Sequence, residues 1–267
     1  MSRTLTPRYS SPIAASVRCR SVQAFFASAG VSGALLCAFG VNPARAGPPV
    51  IRLGIGAREV WVFRPSAPAK SIVIFGHGWS TPLPAGFGPW VEHLRAGGSI
   101  VIYPRYRVGG GDSTIAALAA FEAGIESAFK RIGKIGVPVI AIGKSFGGSA
   151  VFYYAAAARS RGLPVPAAIL SIFPAGPIGA FPAERPSAGT YVEFFVGDAD
   201  TTAGSGGADT FWRWLSGHRS DLKRYVVIHS RSGFVANHDS AQRTDAIARD
   251  VFWKPLDVLI RRARARR

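Results

Sequence analysis

The sequence predicts an α/β protein: a mostly parallel central sheet with helices on both faces and no large cap domain. Three observations predict it. Short apolar runs of strand length alternate with longer stretches at helical spacing. Two of the runs, 71–75 and 138–142, have no polar alternation, the pattern of strands covered on both faces. The connection between the runs ending at Phe173 and beginning at Tyr191 is only about 17 residues of Pro- and Gly-rich chain, too short for a helical cap.

The elements follow in order. Val60 to Phe63 reads as an early strand ended by Arg64-Pro65. Ser71 to Phe75 is an inner strand closing on Gly76-His77-Gly78, and Ser99 to Tyr103 is the next, stopped by Pro104. Ser113 is placed to cap a helix running to about Arg131, with Ile115, Leu118, Ala119, Glu122, Ile125 and Phe129 near helical spacing. Pro138 to Ile142 is a buried strand, followed at once by Gly143-Lys144-Ser145-Phe146-Gly147-Gly148 and a helix from about Ser149 to Arg159. Strands are expected at Ala167 to Phe173, Tyr191 to Val196 and Arg224 to Ile228, with a helix at Ala208 to Leu215. From Ser240 onward the chain reads as helical, kinked or divided by Pro255.

The first 46 residues read as a segment apart. Arg3, Arg8, Arg18 and Arg20 stand without an acidic neighbour, an apolar stretch of small residues runs from Val22 to Val41, and Ala44-Arg45-Ala46 offers a small-x-small site. That order is the pattern of a secretory signal cleaved after Ala46, and the expected location is secreted or periplasmic. An uncleaved membrane anchor is the rival, weakened by the many Ala, Gly and Ser in the apolar run. Cys37 does not complete a lipoprotein signal, because Leu36 stands where a small residue is needed. Cys19 and Cys37, the only cysteines, fall in this segment. Residues 47–267 therefore lack thiols, which excludes disulfide staples, cysteine nucleophiles and thiolate metal sites there. The expected organisation is a signal at 1–46, the α/β domain at 47–260 and a basic tail at 261–267.

With 48% hydrophobic and 18% charged residues the chain has ample material for a core. Its formal net charge is +17, and five arginines (261, 262, 264, 266 and 267) close the sequence. Cations suit a helix C-terminus, and a weak attraction to anionic envelope surfaces is the alternative use. No recognition motif accompanies the charge, so nucleic acid is not an expected partner.

The chemistry centres on Gly143-Lys144-Ser145-Phe146-Gly147, a G-x-S-x-G pattern between a strand and a helix. A serine on so sharp a turn projects its hydroxyl, and glycines two residues either side remove the collisions that side chains would cause. Gly143-Lys144-Ser145 also ends a phosphate-binding loop pattern, but Pro138 stands where that loop needs glycine, and 138–142 is strand-like. A nucleophilic serine needs a base and a group to orient it. Of the five histidines, His238 is the first candidate, in a loop just before the last helical stretch, and His229 at the end of the last strand is the alternate. His77 reads as a turn former, and His93 and His218 as outer-face residues. For the orienting acid, Asp200 is preferred and Asp198 stays open, since both follow the strand that ends at Val196. Backbone amides of Trp79 and Phe146 are placed to form an oxyanion hole. Trp79, Phe87, Trp90, Phe181 and Phe234 are candidates to line an open aromatic cleft.

Taken together, Gly76-His77-Gly78-Trp79, the Gly143 to Gly148 elbow, Gly197-Asp198-Ala199-Asp200 and Asn237-His238 resemble the α/β-hydrolase superfamily, across nearly all of residues 47–267. The likeness is greatest to small capless esterases of the dienelactone hydrolase, chlorophyllase and cutinase-like type. The resemblance implies an eight-stranded sheet, an acyl-enzyme mechanism on carboxylic esters, small or polymeric, and no cofactor or metal. Many members carry His before the serine, where this chain has Lys144. Acyl transfer or perhydrolysis by the same triad, and a non-catalytic binding protein on the same scaffold, remain open alternatives.

Overall fold

The computed structural model describes residues 50–109 and 111–266. The segment read as a secretory signal, with both cysteines, lies outside them, as does Arg267. Eight strands form one sheet: β1 (Val50–Leu53), β2 (Val60–Phe63), β3 (Ser71–Gly76), β4 (Ser99–Pro104), β5 (Val139–Lys144), β6 (Ala168–Ile172), β7 (Tyr191–Gly197) and β8 (Lys223–Ile228). Their spatial order is β1-β2-β4-β3-β5-β6-β7-β8. β1 and β2, and β2 and β4, pair antiparallel; every pair from β4 to β8 is parallel. β3, β4 and β5 are buried at every position, which explains their unbroken apolar runs.

Successive residues feed two cores. Ile72 and Ile74 of β3 face α2 (Thr114–Ile132), α3 (Phe146–Ala157) and α4 (Gly206–Trp214), where Phe121, Ile125, Phe152 and Phe211 pack. Val73 and Phe75 face the other way, onto α1 (Gly88–Ala96) and α6 (Lys254–Ala265), with Trp90, Leu94, Leu256 and Leu259. α3 is buried from Phe146 to Ala156, so it carries no polar stripe and its residues are small or aromatic. The Ser113 side chain caps α2 by accepting from Ala116 N at 3.1 Å, and Gly133 ends the helix at φ 73°.

Two regions differ from the sequence reading. β1 and α1 were not assigned as elements, although His93, which α1 carries, was read as an outer-face residue. β1 has four residues, alternates exposed and half-buried positions, and pairs on one side only. The chain after Ser240 is divided beside Pro255, one of the two outcomes expected there, but into more pieces than a single break gives. It runs through a 3-10 turn (Ser240–Gln242), the short α5 (Ala246–Ala248) and a π-helical turn (Arg249–Trp253) before α6. Pro255 stands in the first turn of α6 and has no N–H to give to the preceding turn, which is the wide one. Arg261, Arg262 and Arg264 belong to α6, and Arg264 donates to Ser71 Oγ and Gly97 O at 2.9 and 3.1 Å.

Candidate active site

The serine turn is built by close approach. β5 ends at Lys144, and Ser145 turns the chain into α3 at φ 58°, ψ −124°, a conformation that costs a non-glycine residue about 1–3 kcal/mol. Its backbone is held on both sides: Ser145 N donates to Ile172 O at 2.9 Å, and Ser145 O accepts from Ser149 N and Ala175 N, each at 3.2 Å. A Cβ on Gly143 would stand 2.1 Å from Gly147 O, and one on Gly147 2.2 Å from Gly76 C and O. Glycine is therefore required at both positions by contact between backbones.

The structure brings Ser145, His238 and Asp200 together. His238 Nε2 lies 2.9 Å from Ser145 Oγ, and His238 Nδ1 lies 2.9 Å from Asp200 Oδ2. The Asp200 side chain is 0% exposed and that of His238 is 12% exposed. The other Asp200 oxygen, Oδ1, accepts from Thr202 N at 2.9 Å and Ala203 N at 3.0 Å, so the carboxylate cannot rotate away from the imidazole without losing both bonds. Asp198 and His229 form a separate pair at 3.4 Å, with His229 76% exposed. Ser230 binds Asp198 through its hydroxyl and amide at 2.6 and 2.9 Å, and these bonds hold the Asp198 carboxyl below the usual range.

Two amides lie in segments that meet beside the serine turn: that of Phe146, the residue after Ser145, and that of Trp79, whose ring packs on Phe146. Phe146 is the first residue of α3, and neither its N–H nor that of Trp79 donates to an acceptor among the described residues. The peptide between Gly78 and Trp79 is held from its carbonyl side: Gly78 O accepts from Thr81 N at 3.1 Å and Thr81 Oγ1 at 3.2 Å. In a trans peptide the N–H points opposite to the carbonyl, so anchoring Gly78 O fixes the direction of the Trp79 N–H. On the other side of Trp79, its carbonyl accepts from Arg107 Nη1, and the Arg107 guanidinium lies 4.3 Å over the indole. The Trp79 ring packs on Phe146 with centroids 4.9 Å apart.

His77 supports the same loop. It is buried between Tyr106 and Tyr103, whose ring centroids lie 3.8 and 5.3 Å from its own. Its carbonyl accepts from Gly147 N at 3.0 Å and from the Tyr106 hydroxyl. Its ring nitrogens stand 2.7 Å from Gly78 O and from Arg105 O. Two acceptors would suit an imidazolium, but burial outweighs them and holds the His77 pKa down from 6.5 to about 4, with Arg107 and Arg105 adding to the shift. The unfolded chain takes up this proton near pH 6.5 and the folded chain only near pH 4, so stability present above the first value is lost as pH falls toward the second. Between pH 7.5 and pH 5, the unfolding free energy of the wild type is expected to drop by about 2 kcal/mol more than that of His77→Gln. Urea midpoints measure this. An equal or steeper acid loss in the variant would show that the two carbonyls keep the ring charged.

The aromatic cleft of the sequence reading is corrected. Phe87, Trp90 and Phe234 are at most 2% exposed and belong to the core beneath the sheet, where Phe87 and Trp90 pack on Phe75, and Phe234 on Phe252. Their positions follow elements that turn back under the sheet, which spacing alone does not reveal. Phe181 stacks on Trp214 at 5.0 Å, and only Trp79 of the five touches Phe146 beside the serine. Tyr106 and Arg107 were missed. The available signal was their place directly after β4, at the carboxyl edge that also carries Ser145. No group of His, Asp or Glu among the described residues is arranged to hold a metal ion.

A sheet in this order, with a serine turn between β5 and α3 and the Asp and His loops after β7 and β8, is the α/β-hydrolase fold without a large cap. Solved structures of that fold resemble the chain. The apo form of Thermogutta terrifontis esterase 2 matches with TM-score 0.58 and 17% identity, covering 76% of this chain and 88% of the esterase. The same esterase phosphorylated by paraoxon matches with TM-score 0.56 at 17% identity, covering 76% and 87%. Carboxyl esterase 2 from the mycorrhizal fungus Tuber melanosporum matches with TM-score 0.64 at 14% identity, covering 83% and 88%. No protein-family model and no curated protein sequence matches the chain.

Proposed function

We propose that the chain is an exported serine hydrolase that cleaves carboxylic esters through an acyl-enzyme, with Ser145, His238 and Asp200 as its triad. The observation that carries this reading is the continuous relay from Ser145 Oγ through both nitrogens of His238 to the buried Asp200, each link 2.9 Å long. His238 Nε2 takes the hydroxyl proton as Ser145 Oγ adds to the ester carbonyl. The amides of Trp79 and Phe146 hold the developing oxyanion. The alcohol leaves with the proton from His238. Water then gives a proton to His238 and its oxygen adds to the acyl carbon. The bond to Ser145 Oγ breaks, the proton returns to that oxygen, and the carboxylic acid departs. The esterase names of the structural neighbours agree with this reading, and one of them is phosphorylated by paraoxon.

Export rests on the n-region, apolar run and Ala44-Arg45-Ala46 of the sequence. Labelling by a fluorophosphonate probe tests the chemistry. The wild type is expected to take one label per chain and Ser145→Ala none; equal labelling of the two, or none of the wild type, would remove the proposed nucleophile.

A further inference from the structure

One charged group beside the relay has no part in the mechanism so far. Lys144 ends β5 immediately before Ser145, and its side chain is only 4% exposed. Burying an ammonium is costly unless it is paired, and an apolar side chain would fill the same space without that cost. Its partner is Asp239, with Nζ 3.2 Å from Oδ1. Asp239 directly follows His238, and its side chain is 79% exposed, so the pair is a buried cation reached by a surface carboxylate. The Lys144 stem also lies against the oxyanion loop: a Cβ on Gly78 would stand 3.4 Å from Lys144 Cδ and 3.7 Å from Nζ. One side chain thus meets the loops before Trp79 and after His238 from the residue preceding the nucleophile.

Two side-chain bonds join the serine turn to the loop 237–239: Ser145 with His238, and Lys144 with Asp239. They are not equivalent during the reaction. Once Ser145 Oγ is esterified it carries no proton, and its bond to His238 is lost. Of these two, only the ion pair then still joins the loop to the serine turn, while His238, held on its other nitrogen by Asp200, must direct water at the acyl carbon. We propose that Lys144 is a positioning residue whose ion pair with Asp239 keeps His238 over the acyl-enzyme, so that it serves deacylation more than acylation.

This inference rests on the serine hydrolase reading above. The test compares wild type, Asp239→Ala and Asp239→Glu, with p-nitrophenyl butyrate for turnover and a fluorophosphonate for the rate of serine attack alone. Asp239→Ala leaves the Lys144 ammonium buried without its partner, so melting temperature is measured beside the kinetics, and Lys144→Met, which removes the buried charge as well, carries the comparison if the alanine variant melts early. Asp239→Ala is expected to lower kcat by about tenfold, with a larger burst of p-nitrophenol, while the labelling rate stays within about threefold. Asp239→Glu is expected to restore most of kcat. Lys144→Met should match Asp239→Ala, and the double variant should lose no more than either single one. Equal losses in labelling rate and kcat, or an unchanged kcat, would overturn the positioning role. Failure of the wild type itself to label would instead overturn the serine hydrolase reading.

Discussion

His238→Ala is expected to lower kcat for a short-chain ester by about 10⁵- to 10⁶-fold with little change in KM, and Asp200→Asn by about 10⁴-fold. The first loss follows from the absence of a substitute. Nε2 of His238 is the nitrogen in contact with Ser145 Oγ, and the nearest cation in sequence, Lys144, is committed to Asp239. The second loss is a tautomer effect that the surrounding bonds dictate. Thr202 N and Ala203 N donate to Oδ1 of residue 200, so an asparagine keeps its oxygen toward them and turns its NH₂ toward His238 Nδ1. Nδ1 must then accept, the ring proton moves to Nε2, and the base faces Ser145 with a donor instead of a lone pair. Asn is nearly isosteric, so melting should change little while kcat collapses. His229→Ala is the control: that ring is 76% exposed and pairs with Asp198, so kcat should stay within about twofold. Steady-state kinetics on the three variants decide it. A His229→Ala loss larger than that of His238→Ala would transfer the base to the alternate site.

The sheet and the serine turn were legible because each leaves a local mark. Strands with both faces covered are apolar throughout, as in Ile72-Val73-Ile74-Phe75, and a turn with backbones in contact demands glycine at fixed offsets, as at Gly143 and Gly147. β1 left no such mark, since an edge strand of Val-Ile-Arg-Leu with half its positions exposed looks like any loop of mixed polarity. The choice between Asp198 and Asp200 was legible only as a preference for the second. Both follow β7, and they separate only when the loop after β8 folds back, giving Asp198 to Ser230 and Asp200 to His238. The Lys144–Asp239 pair shows the same limit: each residue adjoins a member of the relay in sequence, but 95 positions separate them. Contacts between loops at one sheet edge depend on how the strands are ordered, which local pattern does not carry.

Gly147→Ala is expected to damage stability and activity together, and Gly148→Ala to do neither. Alanine is the better helix former at both positions by about 1 kcal/mol, so any loss must come from contact. At Gly147 the new Cβ would lie 2.2 Å from Gly76 C and O and 2.4 Å from His77 O. These are backbone atoms at the end of β3, inside the sheet, and no rotamer change relieves them. Helix α3 would have to withdraw, at a cost of about 3–4 kcal/mol, or a melting temperature lower by about 10 °C. That movement would break the Gly147 N bond to His77 O and carry Ser145 and the Phe146 amide away from His238 and Trp79, so kcat should fall by about 100-fold or more in the molecules that fold. At Gly148 the nearest atoms are Gly143 O and Ser171 Oγ at 3.1 Å and Ile172 O at 3.2 Å, distances that a shift of a few tenths of an ångström accommodates. The strain and the gain in propensity then roughly cancel, and melting should stay within about 3 °C of the wild type. Thermal melts and kcat for the two variants separate a steric requirement from a general intolerance of this helix. Equal tolerance at both positions would mean that α3 is not seated against β3 as closely as the Gly76–Gly147 contact requires.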